Sequence, residues 1–216
     1  MLRKNMMHCG KSYHEFMFGS PRDRKVRERF QQLVFRLMPP QGTILDFGAG
    51  TGIDAKSYAA RGFKVLVHEP SEANLAYFRE YCGREIASGE ITIADLSVTA
   101  GVEMIVANFA VLNLIGDHQG LFAKFACLLA PGGFVLVSLL NPFFLGDARY
   151  SWWRENLHAL ISSGAYAVDG EFGRIYRFAP SVVSRAARPE FGVVACVPGW
   201  VRLATSRYMF MLFQKR

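Results

Sequence analysis

The sequence lacks any apolar run of the roughly 18 residues that a membrane-spanning helix needs. No apolar h-region follows its polar, basic N-terminus, so we predict a cytoplasmic protein without a signal peptide. Internal repeats and low-complexity segments are also missing. With 216 residues, of which 51% are hydrophobic and 13% aromatic, the chain is predicted to be globular and to form one domain.

Cysteine is scarce, and its four positions are scattered. Cys9, Cys82, Cys127 and Cys196 show neither the paired spacing of a zinc site nor the C-x-x-C pattern of a redox centre. We therefore expect free thiols in a reducing compartment, with no disulfide framework and no bound metal.

Negative charge is scarce in the first 40 residues. Nine Lys or Arg residues stand there against three acids, which accounts for +6 of the formal net charge of +7. Apolar residues at spacings of three and four predict a helix over residues 22–38. We predict that residues 1–40 form a basic segment and a helix packing on a core domain of residues 41–216, with residues 1–20 loosely structured. The charge indicates either a solvated helix face or contact with an acidic partner.

A short apolar segment, Ile44–Phe47, runs into glycines at three alternate positions, Gly48, Gly50 and Gly52. This pattern, followed by an amphipathic segment, predicts a strand, a tight turn and a helix. Glycine accepts a positive φ, and because it has no Cβ it lets a ligand lie against the backbone. The helix N-terminus that follows presents unpaired N–H groups. Asp46, two positions before the first glycine, would repel a phosphate and attract a cationic ligand.

The glycine spacing separates two ligand classes. A dinucleotide site has the pattern G-x-G-x-x-G, but the sixth position here is Ile53. With its preceding acid, the G-x-G-x-G pattern resembles the first motif of the class I S-adenosylmethionine-dependent methyltransferases. That resemblance implies S-adenosyl-L-methionine as the cofactor, with Asp46, Gly48, Gly50 and Gly52 among the residues that bind it.

Further residues follow in the order that this family shows. Glu69 ends the second predicted strand, where an acid can accept hydrogen bonds from both hydroxyls of a ribose. The resemblance implies that Asp95 binds the adenine amino group and that Leu96 covers the ring; for Asp95, capping of a turn is the alternative. It also implies that Asn108 lies beside the sulfonium and that Tyr13 closes over the cofactor.

Alternating strands and helices predict an α/β fold with a single Rossmann-like, doubly wound sheet. We expect the sheet to be mostly parallel, with helices on both faces and a C-terminal antiparallel hairpin. A fifth strand is predicted to follow Pro131-Gly132-Gly133, and after it residues 141–180 form an aromatic-rich insertion. We expect the insertion to cover the substrate, with Trp152, Trp153 and Tyr176 as contacts; a small satellite core is the alternative.

Two motifs of base-methylating enzymes are missing, namely an Asn-Pro-Pro-aromatic tetrapeptide and a Pro-Cys pair. The resemblance then implies methyl transfer to a small molecule, an oxygen of an aromatic or lipid-like metabolite. A methyltransferase of RNA or of a carrier-bound substrate, and a non-catalytic cofactor-binding module, stay open as alternatives. His14 and His158 are candidate general bases, needed only if the acceptor must lose a proton.

Overall fold

The computed structural model describes residues 9–170 and 173–216 of the chain. The helices are α1 (Gly10–Gly19), α2 (Pro21–Leu37), α3 (Ile53–Ala59), α4 (Glu72–Tyr81), α5 (Gly83–Ala87), α6 (His118–Leu128), α7 (Ser151–Glu155), α8 (Leu157–Ser163) and α9 (Pro180–Ala186). The strands are β1 (Thr43–Phe47), β2 (Lys64–His68), β3 (Ile91–Ile93), β4 (Val102–Ala107), β5 (Leu129–Leu140), β6 (Ala165–Gly170), β7 (Gly173–Phe178), β8 (Phe191–Val197) and β9 (Tyr208–Lys215). Short 3₁₀ segments cover Val111–Leu114, Leu145–Asp147 and Trp200–Thr205.

Seven of the described strands form one sheet in the order β3-β2-β1-β4-β5-β9-β8. β1 pairs in parallel with β2 and with β4, and β2 pairs in parallel with β3. β9 pairs antiparallel with β5 and with β8. β6 and β7 form a separate antiparallel pair. The sheet confirms the predicted Rossmann-like α/β fold, mostly parallel and ending in an antiparallel hairpin.

The chain divides into two compact units. The first contains the chain up to Asn108 together with Leu128–Gly133, and the second contains Phe109–Cys127 and Phe134–Arg216. No helix in the described part of the chain is long and apolar enough to cross a membrane.

The core of the first unit lies around β1. Ile44 and Leu45 are consecutive strand residues and so face opposite sides of the sheet, and both are fully buried. Phe30 of α2, Tyr58 of α3 and Phe78 of α4 are also fully buried. Burying an aliphatic or Phe side chain of this kind contributes about 1.5–3 kcal/mol. The result is a rigid base for the loop that follows β1.

The expectation of a loosely structured N-terminus is wrong for residues 10–19, which form α1. Residues 1–8 lie outside the described residues. The Gly10 N–H donates to Asn74 Oδ1 of α4 (2.9 Å), and His14 and Met17 are buried. Tertiary contacts stabilise this helix, since Asn74 lies some 60 residues further along the chain than Gly10. Local periodicity alone therefore predicted it poorly.

The start of β5 also differs from the prediction. We expected Pro131-Gly132-Gly133 to turn the chain before the strand, but β5 already begins at Leu129. Gly132 has a φ of 73°, a conformation that favours glycine. Pairing with β9 begins at Phe134, as the apolar run predicted.

In the second unit, aromatic rings form the centre of the core. The Phe122 ring of α6 lies 6.0 Å from that of Phe125, 5.6 Å from that of Phe191 and 5.0 Å from that of Phe213. The insertion after β5 consists of α7, α8 and the β6–β7 pair. It therefore has regular structure of its own.

Candidate functional site

The loop after β1 has the backbone that its glycines predicted. Gly48, Gly50 and Gly52 have φ values of 77°, 57° and 87°. The N–H groups of Gly48 and Ala49 both donate to the His68 carbonyl oxygen, at 2.7 and 3.2 Å. This ties the loop to the carboxyl end of β2. A residue with a Cβ would be strained by about 1–2 kcal/mol at each of the three glycines.

The second and third glycines differ in their surroundings. Among the described residues, a Cβ at Gly50 would meet only Tyr13 Cε1, at 3.5 Å. A Cβ at Gly52 would lie 2.6 Å from Cys82 Sγ and 2.7 Å from the Phe78 ring. Gly52 is therefore required where the loop packs on α4 and its C-terminal end, whereas Gly50 offers a bare backbone on which a ligand can lie.

Glu69 holds the loop from the end of β2. Its Oε2 accepts from the Gly50 N–H (2.7 Å), while Oε1 accepts from the Ser71 N–H (2.9 Å) and more weakly from Asn74 Nδ2 (3.5 Å). An ionised carboxylate offers about four acceptor positions, so these three donors do not exhaust it. Glu69 can thus position the loop and still accept a hydrogen bond from a ligand hydroxyl.

Asp46 is an ionisable group inside a central strand. It is 2% exposed, and its Oδ2 has no hydrogen-bond partner within the described residues. Burial raises the pKa of this carboxyl well above its usual range, repulsion from Asp54 and Glu69 adds to the rise, and Arg27 opposes it. A buried polar atom without a partner costs about 1–3 kcal/mol. The orphaned oxygen beside the glycine loop is therefore one that a hydrogen-bonding or cationic ligand would stabilise.

A buried polar cluster surrounds Asp54, the second residue of α3. Asn108 Nδ2 donates to Asp54 Oδ2 (3.1 Å), and Gln31 Nε2 donates to Oδ1 (2.7 Å). Arg27 Nε lies 3.3 Å from Asp54 Oδ1, and both side chains are 10% exposed. Asn108 is thus held by the cluster at the end of β4.

We did not predict this cluster, because Arg27 was grouped with the other basic residues of positions 1–40, which we expected to face solvent or an acidic partner. That assignment is wrong, since Arg27 is buried and paired. A signal existed in the spacing: Arg27, Phe30 and Val34 follow each other by three and four residues, which places them on one helix face. Phe30 and Val34 are fully buried, so Arg27 is buried with them.

Asp95 lies on the surface, two residues beyond β3. Its Oδ1 accepts from the N–H and the hydroxyl of Ser97, at 2.9 and 2.7 Å. The hydroxyl and then the backbone bond lower the pKa of this carboxyl. Asp95 therefore caps a turn, as the alternative interpretation had it, and Leu96 beside it is half-buried. Their contact with adenine stays a prediction.

The two candidate bases have very different surroundings. His14 is buried in α1, with Nδ1 3.0 Å from Thr51 Oγ1 in the glycine loop. Burial, and then the charge of Arg27, lowers the pKa of this imidazole, so it is neutral at pH 7. Tyr13, the preceding residue, lies against Gly50. His158 belongs to the second unit and is exposed on α8.

The three predicted substrate residues lie in the second unit. The Trp152 ring is 5.4 Å from the Arg177 guanidinium carbon, and Trp153 Nε1 donates to the Pro142 carbonyl oxygen (2.9 Å). The Tyr176 ring is half-buried in β7. Contact of these rings with a substrate stays a prediction.

The insertion also has a polar centre that the sequence did not reveal. Arg177 Nη1 lies 3.4 Å from Asp147 Oδ2 and 3.4 Å from the Asn141 carbonyl oxygen, with Asp147 2% exposed at its side chain. Nearby, burial raises the pKa of Tyr166 to about 12. This centre agrees with the satellite-core alternative for at least part of the insertion.

No cluster of three or more His, Cys, Asp or Glu side chains in residues 9–170 and 173–216 is arranged to hold a metal ion. The described cysteines, including buried Cys82, are free thiols.

A family model described as a methyltransferase domain matches residues 13–168. A ubiquinone biosynthesis O-methyltransferase of Rhizobium etli is 25% identical over 163 residues, covering 72% of this chain and 65% of that protein. The same enzyme of Rhizobium johnstonii is 24% identical over 146 residues, covering 66% and 59%. The chain thus spans less than two thirds of the length of these curated relatives.

Solved structures with the same fold include three methyltransferases. An S-adenosylmethionine-dependent methyltransferase from Mesorhizobium loti has a TM-score of 0.59 at 17% identity, covering 85% of this chain and 96% of that one. CcbJ from Streptomyces caelestis has a TM-score of 0.63 at 18% identity, covering 87% and 88%. The glycopeptide N-methyltransferase MtfA in complex with S-adenosylmethionine has a TM-score of 0.60 at 19% identity, covering 88% and 87%. At these identities the likeness shows a shared fold.

Proposed function

The chain belongs to the methyltransferase-domain family, and from this premise we propose that it is an S-adenosylmethionine-dependent methyltransferase that methylates an oxygen of a small aromatic or lipid-like molecule. Bound S-adenosylmethionine supplies a methyl group already activated by a positive sulfur. The residues of the chain then need to hold the two reactants in line and exclude water. Such positioning can contribute about 7–11 kcal/mol to lowering the barrier.

The proposed cofactor site rests mainly on the Glu69–Gly50 hydrogen bond and on the Asp46 Oδ2, which has no hydrogen-bond partner among residues 9–170 and 173–216. Glu69 and the buried Asp46 carboxyl, which a nearby cation would help to ionise, fit the ammonium and sulfonium of the cofactor and disfavour a pyrophosphate. We assign Gly48 and Gly50 to the backbone contact, Glu69 to the ribose and Asp46 to the positive end. Gly52 acts by packing the loop on Phe78 and Cys82.

Two observations support the choice of acceptor. The curated relatives are O-methyltransferases by name, and the insertion of this chain carries Trp152, Trp153 and Tyr176 as large aromatic surfaces. Aromatic rings bind planar and apolar groups through area burial and ring stacking. We propose these three side chains as acceptor contacts, and we assign no general base.

The test is transfer of a labelled methyl group in a fractionated cell extract. We expect the label in a small molecule that an organic solvent extracts, with transfer reduced about tenfold or more in Trp152→Ala at unchanged cofactor affinity. A matched control is Arg154→Ala, because Arg154 is exposed on the same helix and lies outside the proposed contacts. Label found in RNA or in protein would overturn the proposal.

A second candidate function, methylation of a polyanionic macromolecule, is favoured by one surface. Arg22, Lys25, Arg29 and Arg36 are exposed, and their spacings of three, four and seven put them on one face of α2. None of the four forms an ion pair within the part of the chain that the structure describes. At 1.5 Å per residue this basic stripe is about 21 Å long, enough to contact several phosphates. We rank it second because base-methylation motifs are missing.

A further inference from the structure

Two routes of hydrogen bonds connect α1 with the glycine loop. The direct route joins His14 Nδ1 to Thr51 Oγ1 at 3.0 Å. The indirect route runs from the Gly10 N–H to Asn74 Oδ1 (2.9 Å), and from Asn74 Nδ2 to Glu69 Oε1 (3.5 Å). Glu69 Oε2 in turn accepts from the Gly50 N–H. Both routes end within one residue of each other, on the part of the loop with the bare backbone.

The direct route is shielded from water. Thr51 is 2% exposed and His14 is 8% exposed. The His14 ring centroid lies 4.4 Å from that of Tyr81, 5.1 Å from that of Tyr77 and 5.8 Å from that of Phe18. A hydrogen bond in such a place is strong, and loss of one partner leaves the other buried and unpaired.

These contacts also argue against His14 as a general base. Its Nδ1 is engaged by Thr51, and three aromatic rings lie around the imidazole. Burial lowers the pKa of the ring, in keeping with a neutral hydrogen-bonding partner. The contacts fit a residue that fixes the loop.

We propose that His14 is a positioning residue for the cofactor loop. By holding Thr51, it docks α1 on the loop and fixes the Gly50 backbone in the conformation that receives the cofactor. Docking of α1 and cofactor binding are then coupled, and the coupling acts in both directions. This inference rests on the proposed cofactor site.

Two substitutions of His14 distinguish the effect of its hydrogen-bonding atom from the effect of its side-chain volume. Asn at position 14 places an amide atom where Nδ1 lies, whereas Leu keeps the volume without a polar atom. We expect the Kd for S-adenosylhomocysteine in calorimetry to rise about tenfold in His14→Leu and to stay within about threefold in His14→Asn. The KM for the cofactor should follow the same order, with kcat at saturating cofactor changed less than twofold. Lys11→Gln, an exposed change in the same helix, is the matched control.

Thr51→Val tests the other end of the bond, because it replaces the hydroxyl with a methyl group of the same size. It should weaken binding about as much as His14→Leu does, and the double variant should be no weaker than either single variant. Additive losses would overturn the proposal. So would a His14→Asn variant as weak as His14→Leu. Should His14→Leu fail to fold in circular dichroism, Thr51→Val and His14→Asn decide the matter alone.

Hydrogen exchange reports the coupling directly. In the unchanged protein, S-adenosylhomocysteine should slow exchange of the α1 amides, and in Thr51→Val this protection should shrink at equal cofactor saturation. Equal protection in the two proteins would overturn the coupling. Failure of the unchanged protein to bind either adenosyl ligand would instead overturn the proposed function, so the two outcomes are distinguishable.

Discussion

The surroundings of the glycine loop and the aromatic insertion are each organised by a buried Arg–Asp pair. In the first unit Arg27 lies 3.3 Å from Asp54, and in the second Arg177 lies 3.4 Å from Asp147. The Arg27 pair is joined by Gln31 and Asn108 and lies beside a loop of fixed backbone geometry. The Arg177 pair holds an aromatic segment instead. The same kind of ion pair therefore lies beside the proposed cofactor loop in one region and among aromatic side chains in the other.

Removing the arginine of each pair should produce the largest loss of stability and should show whether the two pairs differ in their effect on cofactor binding. Arg27→Met and Arg177→Met each leave a buried carboxylate without its cation, which costs about 3–5 kcal/mol. We expect urea unfolding to show losses of that size in both. In protein that remains folded, only Arg27→Met should also weaken S-adenosylhomocysteine binding. Equal cofactor affinity in the two variants would erase the distinction that we draw between the pairs.

The stabilisation by bound ligand should be somewhat smaller than the loss from removing a buried ion pair. At 100 times the Kd, S-adenosylmethionine or S-adenosylhomocysteine should add about 2.7 kcal/mol, which raises Tm by roughly 5–10 °C for a chain of this size. Glu69→Ala should fold yet lose most of that shift, because it removes a charged acceptor from the loop. A Tm shift with NAD and none with either adenosyl ligand would contradict the assignment of the loop.

Gly50→Val, compared with a control glycine, distinguishes backbone strain from steric exclusion of the cofactor. The positive φ at Gly50 should cost about 1–2 kcal/mol in unfolding free energy, and the side chain should lower cofactor affinity at least tenfold. Gly62→Val is the matched control, since Gly62 also has a positive φ (84°) and a Cβ there meets no atom of the described residues within 4 Å. That control should show the strain without the loss of affinity. Loss of affinity in both variants would mean that strain alone explains the effect.

A smaller effect should appear with pH. Burial, then Arg27 and Lys56, lower the pKa of His14 below its usual 6.5, while Glu15 opposes them. The docked form of α1 therefore binds fewer protons than the undocked form. Docking should be unaffected above pH 6.5 and weaken as pH falls from 6.5 through the lowered pKa. We expect cofactor affinity to decline over that interval in the unchanged protein and to stay level in His14→Asn. An equal decline in both would assign the pH dependence to another group.

The smallest effect is expected on the surface. Replacing the four residues of the basic stripe, Arg22, Lys25, Arg29 and Arg36, by Gln should leave turnover of a small-molecule acceptor within about threefold. RNA binding, if measured, should weaken and depend less on salt, because each lost phosphate contact reduces the salt slope by about one. Loss of turnover together with RNA binding would favour the second candidate function.

The local motifs were predictable because each depends on neighbours in sequence. Gly48, Gly50 and Gly52 signalled a turn of positive φ, and the structure has it. Ser71 directly precedes α4 and caps it in the way that serine commonly does, with its hydroxyl accepting from the Asn74 N–H (3.3 Å). Asp95 shows the limit of such reasoning, since one acid at one strand end fits both a ligand contact and the turn cap that the structure contains.

The sequence by itself determined the alternation of strands and helices around the parallel part of the sheet, the positive-φ loop and the class of ligand that two nearby acids favour. Only the tertiary structure decided which charges are buried, which face of α1 is covered and which groups hold the loop. The reason is physical: Arg27–Asp54, Asp147–Arg177 and His14–Thr51 join residues far apart in the chain, whose pairing no local pattern encodes. Because these side chains are buried, they bond to each other in fixed positions and not to water.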